Sequence, residues 1–444
     1  MSASFFSDYS RRDLFRISLA SAFGVSYSGW LPALASAAVG QKGSRACILL
    51  WMNGGPSQLD TFDLKPGHKN GGPFQEIETA VPGIRMSEHL PGLARQMKDI
   101  AIIRGMTSKE GDHGRATRLM MTGYRPQEAV RYPCLGSIVA KELGRDDNEV
   151  ANYVSVSPLR FADVGAGFLG PKYAPLTVSG DSDDPGARAN LSIENLAPPL
   201  GVDGESMKNR VGLLNFLESE FNEQFPGESA GAHRANYDRA IKMVQTQARS
   251  AFKLQEESAE LRDDYGRNRF GQGCLLARRL VERGVPFVEV TLARVPGNDF
   301  AWDTHQNNFE MVRLLSQVLD PACSTLIRDL REHGLLESTL IVWMGEFGRT
   351  PAINGQNGRD HFPGAWTTLL AGGLIQGGQV IGRTTESGME VEDRPVGVPE
   401  FFATICAALD IDYRKDNASP EGRPIAIVDG RADPVKELLS KAPA

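Results

Sequence analysis

The sequence has no Cys-x-x-Cys pair. Its five cysteines, Cys47, Cys134, Cys274, Cys323 and Cys406, are widely spaced and odd in number, which argues against a zinc knuckle. Most of them fall within apolar runs, the usual setting of buried thiols. No long block of a single charge sign occurs either. The 48 basic and 55 acidic residues leave a net charge of −7, and without a basic face the chain has no footprint for a nucleic-acid backbone. Gly54-Gly55 and Gly372-Gly373 are not followed by Lys-Ser/Thr, so there is no nucleotide phosphate loop. The absence of a Gly-x-Ser-x-Gly elbow disfavours an ordinary Ser-His-Asp hydrolase. No internal repeat of about 20–50 residues is visible, and no low-complexity tract divides the chain. What remains is an ordinary globular profile, 41% hydrophobic and 23% charged over 444 residues.

The N-terminus reads as a targeting segment. Ser10-Arg11-Arg12-Asp13-Leu14-Phe15-Arg16 is a twin-arginine signal, followed by the weakly apolar Ile17–Leu34 and the small-residue site Ala35-Ser36-Ala37. Ser, Gly and Pro interrupt the apolar part, and it falls short of a comfortable membrane span. The expectation is a signal peptide over residues 1–37, export by the twin-arginine route to the periplasm or beyond, and no stable membrane span once the signal is removed. Residues 38–444 would form a single domain.

Ala46–Asn53, Asp99–Arg104, Asn152–Ser157, Val285–Leu292, Thr339–Met344 and Trp366–Ala371 read as strands. Between them lie helical periods at Glu88–Lys98, Arg115–Met121, Tyr132–Gly144, Leu275–Arg283, Asn307–His333 and Pro399–Leu409. Alternation of this kind predicts βαβ units, an α/β fold with a mostly parallel sheet. The stretch from about Ser157 to Asp203 is rich in Gly, Pro and Asp and reads as loops over one end of the sheet. A charged, helical insertion is expected over about residues 205–265.

Polar clusters follow several of these strands. Asp303 and His305 come after one, Glu346 and Arg349 after the next, Asp360 and His361 in a Gly/Asn-rich loop beyond, and Asp112-His113 opens a helix. Parallel strands bring such ends to one edge of a sheet. Mixed carboxylate and imidazole donors suit a divalent Zn, Mn or Fe ion. The plainer reading is a structural Glu346–Arg349 ion pair, with Asp360 capping a turn and His113 capping a helix.

Taken together, LLWMNGGPSQLDTFDLKP, SEHLPGLA, GFLGPKYAP, FGQGCLLARRLVERGVPFVEV, WDTHQNNF, GEFGRTPAINGQNGRDHFPG and the final EGRPI resemble the family called domain of unknown function 1501, a sulfatase-like branch of the alkaline phosphatase superfamily. The resemblance covers nearly the whole chain and implies a large α/β/α sandwich with a metal centre at the strand ends. Carried over by position, the first-strand Asp of that superfamily becomes Asn53, and His113 stands where Cys or Ser is the nucleophile. The middle cluster becomes Asp303 and His305, the late Asp-His becomes Glu346-Phe347, and the final His becomes His361. On this basis Asp303, His305, Glu346, His361 and Asn53 are candidate ligands for one or two ions. His113 is a candidate nucleophile or general acid, and Arg349 or Arg115 would bind an anionic group. The implied function is hydrolysis of a phosphate or sulfate ester of a small molecule or glycan. The alternative is a non-catalytic binder of such anions on a degenerate fold.

Overall fold

Strand β1, Ala46–Met52, is buried at every position. Its side chains divide by parity: Ala46, Ile48, Leu50 and Met52 pack into one apolar cluster, Cys47, Leu49 and Trp51 into another. A strand apolar on both faces has to lie inside a sheet covered on both sides, and this one does. The computed structural model describes residues 45–157, 164–180, 191–192, 205–206, 209–214, 216, 248–419 and 422–440. The expected signal peptide lies outside them, as do residues 217–247 of the expected helical insertion and most of the expected loop region between 158 and 203.

The other strands of the main sheet are β2 (Ile100–Thr107), β3 (Tyr153–Val156), β4 (Leu176–Gly180), β5 (Leu191–Ser192), β6 (Phe287–Leu292), β7 (Thr339–Met344), β8 (Trp366–Gly372), β9 (Gln379–Ile381) and β10 (Val396–Gly397). Their order is β9-β2-β8-β7-β1-β6-β3-β4-β5, with β10 pairing β2. β1 runs parallel to both β6 and β7. β8 is antiparallel to β2 and β7, so the sheet is mixed but mostly parallel.

Helices cover both faces. α4 (Arg269–Glu282) and α5 (Asn308–Glu332) bury their apolar sides in the cluster that contains Ile48 and Leu50. α2 (His113–Thr122), α3 (Leu135–Glu142) and α6 (Val398–Ala408) cover the face of Leu49 and Trp51. The architecture is the expected α/β/α sandwich. α1 (Gln58–Thr61) is a single turn directly after β1. Where a long helix was expected over Glu88–Lys98, the chain forms only Pro91–Arg95 and a 3₁₀ turn, because Pro91 suits only the first turn of a helix. All five cysteines are buried and free. Among the described residues no helix is long and apolar enough to cross a membrane.

One buried charge in the sheet makes a measurable prediction. Glu289 of β6 is 1% exposed and accepts the Tyr153 hydroxyl at 2.6 Å. Burial pushes its carboxyl up to about 7, against the opposing pull of the Tyr153, Ser155 and Thr291 hydroxyls. The folded state therefore holds a proton that the unfolded state releases near the ordinary value of 4.5. This acid contributes stability at low pH that is lost as pH rises from 4.5 through about 7. Glu289→Gln should remove that loss. Relative to wild type, the variant should gain on the order of 2 kcal/mol between pH 5 and pH 8 in urea unfolding. A stability difference that does not change with pH would refute the assignment.

Candidate metal centre

β1, β2, β6 and β7 point the same way, so their C-terminal ends share one edge of the sheet. Beyond β1 lies the turn Asn53-Gly54-Gly55. Gly54 has φ of +108°, and a Cβ there would come within 2.4 Å of the Asp303 backbone nitrogen. Only glycine lets the Trp302–Asp303 backbone lie against this turn, where the Trp302 N–H donates to the Asn53 carbonyl at 3.0 Å. Beyond β2 the chain reaches Asp112, whose carboxylate accepts the Arg115 N–H at 3.0 Å and caps α2. That cap makes His113 the first helical residue. Beyond β7, Gly348–Arg349 and His361–Phe362 form a short antiparallel ladder with Arg349 opposite His361.

These elements gather three imidazoles around one carboxylate oxygen. Oδ1 of Asp303 is 3.2 Å from Nε2 of His113, 3.1 Å from Nε2 of His305 and 3.4 Å from Nε2 of His361. The Nε2 atoms of His305 and His361 are 3.0 Å apart. The opposite nitrogens each face a group that only accepts. Nδ1 of His113 faces Glu346 Oε1 at 2.6 Å, that of His305 faces Asp360 Oδ1 at 2.8 Å, and that of His361 faces the Gly111 carbonyl at 2.8 Å. Each Nδ1 therefore carries the hydrogen, and in the neutral ring each Nε2 presents a lone pair inward. Lone pairs facing one another across 3 Å repel unless a proton or a cation lies between them. The edges of a tetrahedron of ligands about 2.0–2.1 Å from a metal are about 3.3 Å long, close to the spacing found here. Ligand atoms of His113, Asp303 and His361 all lie within 4.8 Å of one another.

Without an ion, the carboxylates around His113 favour its charged ring, so a proton and a metal would compete for the same Nε2. Burial works against a charged His113, but its contacts with Asp303 and Glu346 outweigh burial and raise it to about 9. Asp303 is held well below the carboxylate range: burial opposes this, but His113, His361 and the Arg349 guanidinium prevail. Phe347, fully buried, floors the cluster with its ring centroid 4.9 Å from His113 and 4.7 Å from His361.

Residues 44–439 match the family described as protein of unknown function, DUF1501. The chain belongs to the DUF1501 family. No curated protein sequence matches it. It is similar to solved structures that include the PsFucS1 sulfatase from Pseudoalteromonas sp., at 12% identity over 86% of this chain and 71% of that one, with a TM-score of 0.39. The phosphonate monoester hydrolase SpPMH from Silicibacter pomeroyi is 13% identical over 80% of this chain and 72% of that one, TM-score 0.34. A protein in the alkaline phosphatase superfamily from Vibrio parahaemolyticus is 12% identical over 92% and 77%, TM-score 0.34.

In this DUF1501 protein the structure brings together Asp303, His305 and His361, and the fourth inward donor is His113. Glu346, expected among the ligands, stands one step back: its Oε1 accepts from His113 and from the Gly54 N–H at 3.0 Å. His113, expected as a nucleophile, turns Nδ1 to Glu346 and Nε2 to Asp303. It does not cap α2, since Asp112 does. Asn53 sits just past the end of β1, buried, and its side-chain amide nitrogen and oxygen have no hydrogen-bond partner among the described residues. The same is true of Glu346 Oε2. Orphaned polar atoms at the base of the site are what a polar ligand or ion would satisfy.

Arg349, expected to bind an anion, is wholly buried and already committed. It donates to the carbonyls of Gly55 at 3.1 Å, Arg359 at 3.3 Å and Gly54, and to Asp303 Oδ1 at 2.6 Å. It pairs with Asp303, where the plainer sequence reading had paired it with Glu346. Arg115 lies outside the cluster, exposed and bridged to Glu110 at 2.7 and 3.0 Å. Two contributors escape sequence reasoning. The Gly111 carbonyl orients His361 through the backbone, which no side-chain pattern reveals. The fully buried Arg359–Asp60 ion pair, at 2.7 and 3.1 Å, ties the loop that carries Asp360 and His361 to α1. Arg359 and Asp60 are separated by 299 positions in sequence.

Proposed function

We propose that this protein is an exported, metal-dependent hydrolase of phosphate or sulfate esters. Asp303, His113 and His361 would hold a divalent ion, with His305 beside them. The observation that supports this most directly is the convergence of three Nε2 atoms on Asp303 Oδ1 with every Nδ1 hydrogen directed outward. Partners that fix the tautomer of ligating histidines are typical of metal centres, and Glu346, Asp360 and the Gly111 carbonyl fill that role. A bound ion would supply Lewis acidity toward an ester oxygen or an attacking water. Arg349 holds Asp303 Oδ1 and the Gly54-Gly55 turn in register. His305 is the most exposed of the three rings, at 40% of its side-chain surface, and faces the solvent from which a substrate arrives.

Protein recovered from the exported fraction should carry about one equivalent of Zn, Mn or Fe per chain. Chelation should abolish hydrolysis of phosphate or sulfate monoesters, and the same ion should restore it. Metal-free protein that takes up none of these ions would sink the proposal, and protein confined to the cytoplasm with residues 1–37 still attached would sink its export half. One observation favours a non-catalytic binder instead: if His113 holds the ion, the cluster has no free protein nucleophile among the described residues. Tight binding of an anionic ester without turnover under any of these metals would mark that case.

A further inference from the structure

α2 starts at His113 and carries a second polar feature along its outer side. Arg115, Arg118 and Thr122 recur at i, i+3 and i+7, one stripe of the helix; the two arginines are exposed, while Thr122 is buried, as are Ala116, Thr117, Met120 and Met121. The stripe lines a cavity of about 570 Å³ together with Tyr124, Arg131, Tyr132 and one carboxylate, Glu128. This volume falls within the roughly 300–1,000 Å³ typical of small-ligand sites. Arg115 is compensated by its two bonds to Glu110. Arg118 and Arg131 are exposed and make no ion pair among the described residues. The tyrosine rings are stacked, with centroids 4.1 Å apart and planes 7° from parallel. The Tyr124 hydroxyl donates to the Ala426 carbonyl at 2.6 Å and fixes the stack in place.

We propose that this cavity is a binding subsite for an acidic oligosaccharide. Unpaired guanidinium groups match the planar, bidentate geometry of carboxylate, sulfate or phosphate. A rigid, amphipathic tyrosine stack offers a flat apolar face with little entropy left to lose, which suits the C–H face of a sugar ring. A purely inorganic anion would use the arginines and leave the tyrosines without a role. Arg118 lies about 7.5 Å along the helix axis from His113, so a bound chain running along α2 leads toward the histidine cluster. That last step, delivery of an ester to the cluster, rests on the proposed function; the binding itself does not.

Calorimetric titration tests it with four probes: a sulfated hexasaccharide, a uronic-acid hexasaccharide, a neutral hexasaccharide and inorganic sulfate. The acidic hexasaccharides should bind wild type at least about tenfold more tightly than the neutral one or sulfate. Arg118→Ala/Arg131→Ala should weaken acidic binding at least about tenfold, and Tyr132→Ala should weaken it comparably, with circular dichroism unchanged in both. His113→Ala, which disrupts the cluster, should bind as wild type does. A protein without esterase activity that behaves this way would refute the catalytic reading and leave the subsite standing. The proposal is overturned if neither acidic hexasaccharide binds, if the neutral one binds equally, or if sulfate alone matches them. It is also overturned if the double arginine variant binds like wild type.

Discussion

Replacing His361 with alanine should strip the centre of its ion and leave the fold intact. The ring retains 27% of its side-chain exposure and packs edge-on against His113 at 4.3 Å, so its removal opens space at the surface and not a core cavity. It supplies one of the inward nitrogens, however, and the neighbouring imidazole of His305 is already turned to Asp303 at 3.1 Å. Loss of an outer partner of a metal ligand costs about 10–100-fold in affinity or activity. Loss of a ligand itself should cost at least about 100-fold. Glu346→Gln is the paired measurement. The amide can still accept from the Gly54 N–H and from His113, but without the negative charge that strengthens His113 as a donor. A decrease of about 10–100-fold is expected there. Equilibrium dialysis with elemental analysis reads both, and the thermal midpoint of the metal-free proteins should move by only a few degrees. His361→Ala that retains its metal would show that His361 is not a ligand, and wild type that binds none would show a hydrogen-bonded histidine cluster without an ion.

Asp60→Ala should be the most destabilising change near the site, by about 3–5 kcal/mol in urea unfolding. Asp60 and Arg359 are both fully buried. Besides Asp60, the guanidinium donates among the described residues to uncharged carbonyls, those of Thr350, Pro351 and Asn70, and lies 5.6 Å from the centre of the Phe309 ring. Removing the carboxylate leaves a buried cation with no counter-charge, the costly way to break such a pair. Removing both charges, as in Asp60→Leu/Arg359→Met, should recover most of the lost stability. Metal affinity should not recover with it. Asp60 also accepts from Asn308 Nδ2 at 2.8 Å, and through Arg359 it tethers the loop between Arg349 and His361. Without that tether, Asp360 and His361 lose the register that holds two of the rings. A double variant that binds metal as tightly as wild type would assign the pair to stability alone.

The fold was largely readable because burial leaves its mark on composition. Thr339–Met344 and Ala46–Met52 are apolar at nearly every position, and only a strand covered on both faces reads this way. The direction of β8 was not readable. Trp366–Gly372 has the same pattern in either sense, and only its hydrogen-bonded neighbours make it antiparallel. At the site, the clusters after β6 and β7 were visible as candidates because parallel strands deliver their ends to one edge. Which atoms then meet was not visible. Glu346 lies behind His113 because Gly54 allows the turn after β1 to approach closely, donate to Glu346 and hold that carboxylate behind the ring. Arg349 looked available in the sequence, but its guanidinium is consumed by carbonyls from a turn almost three hundred positions earlier.

By itself, the sequence determined the sandwich, its strands and helices, and the short set of histidines and carboxylates from which any centre must be drawn. Hydrophobic periodicity is a local property, and so is the supply of titratable groups. Tertiary structure alone decided that three Nε2 atoms face one oxygen, that Arg349 is buried against backbone carbonyls and Asp303, and that a buried Arg359–Asp60 pair anchors the loop of His361. Each of these depends on distances between segments hundreds of residues apart. Such distances come from how the sheet orders its strands and how Gly54 lets two backbones touch, and they leave no pattern along the chain.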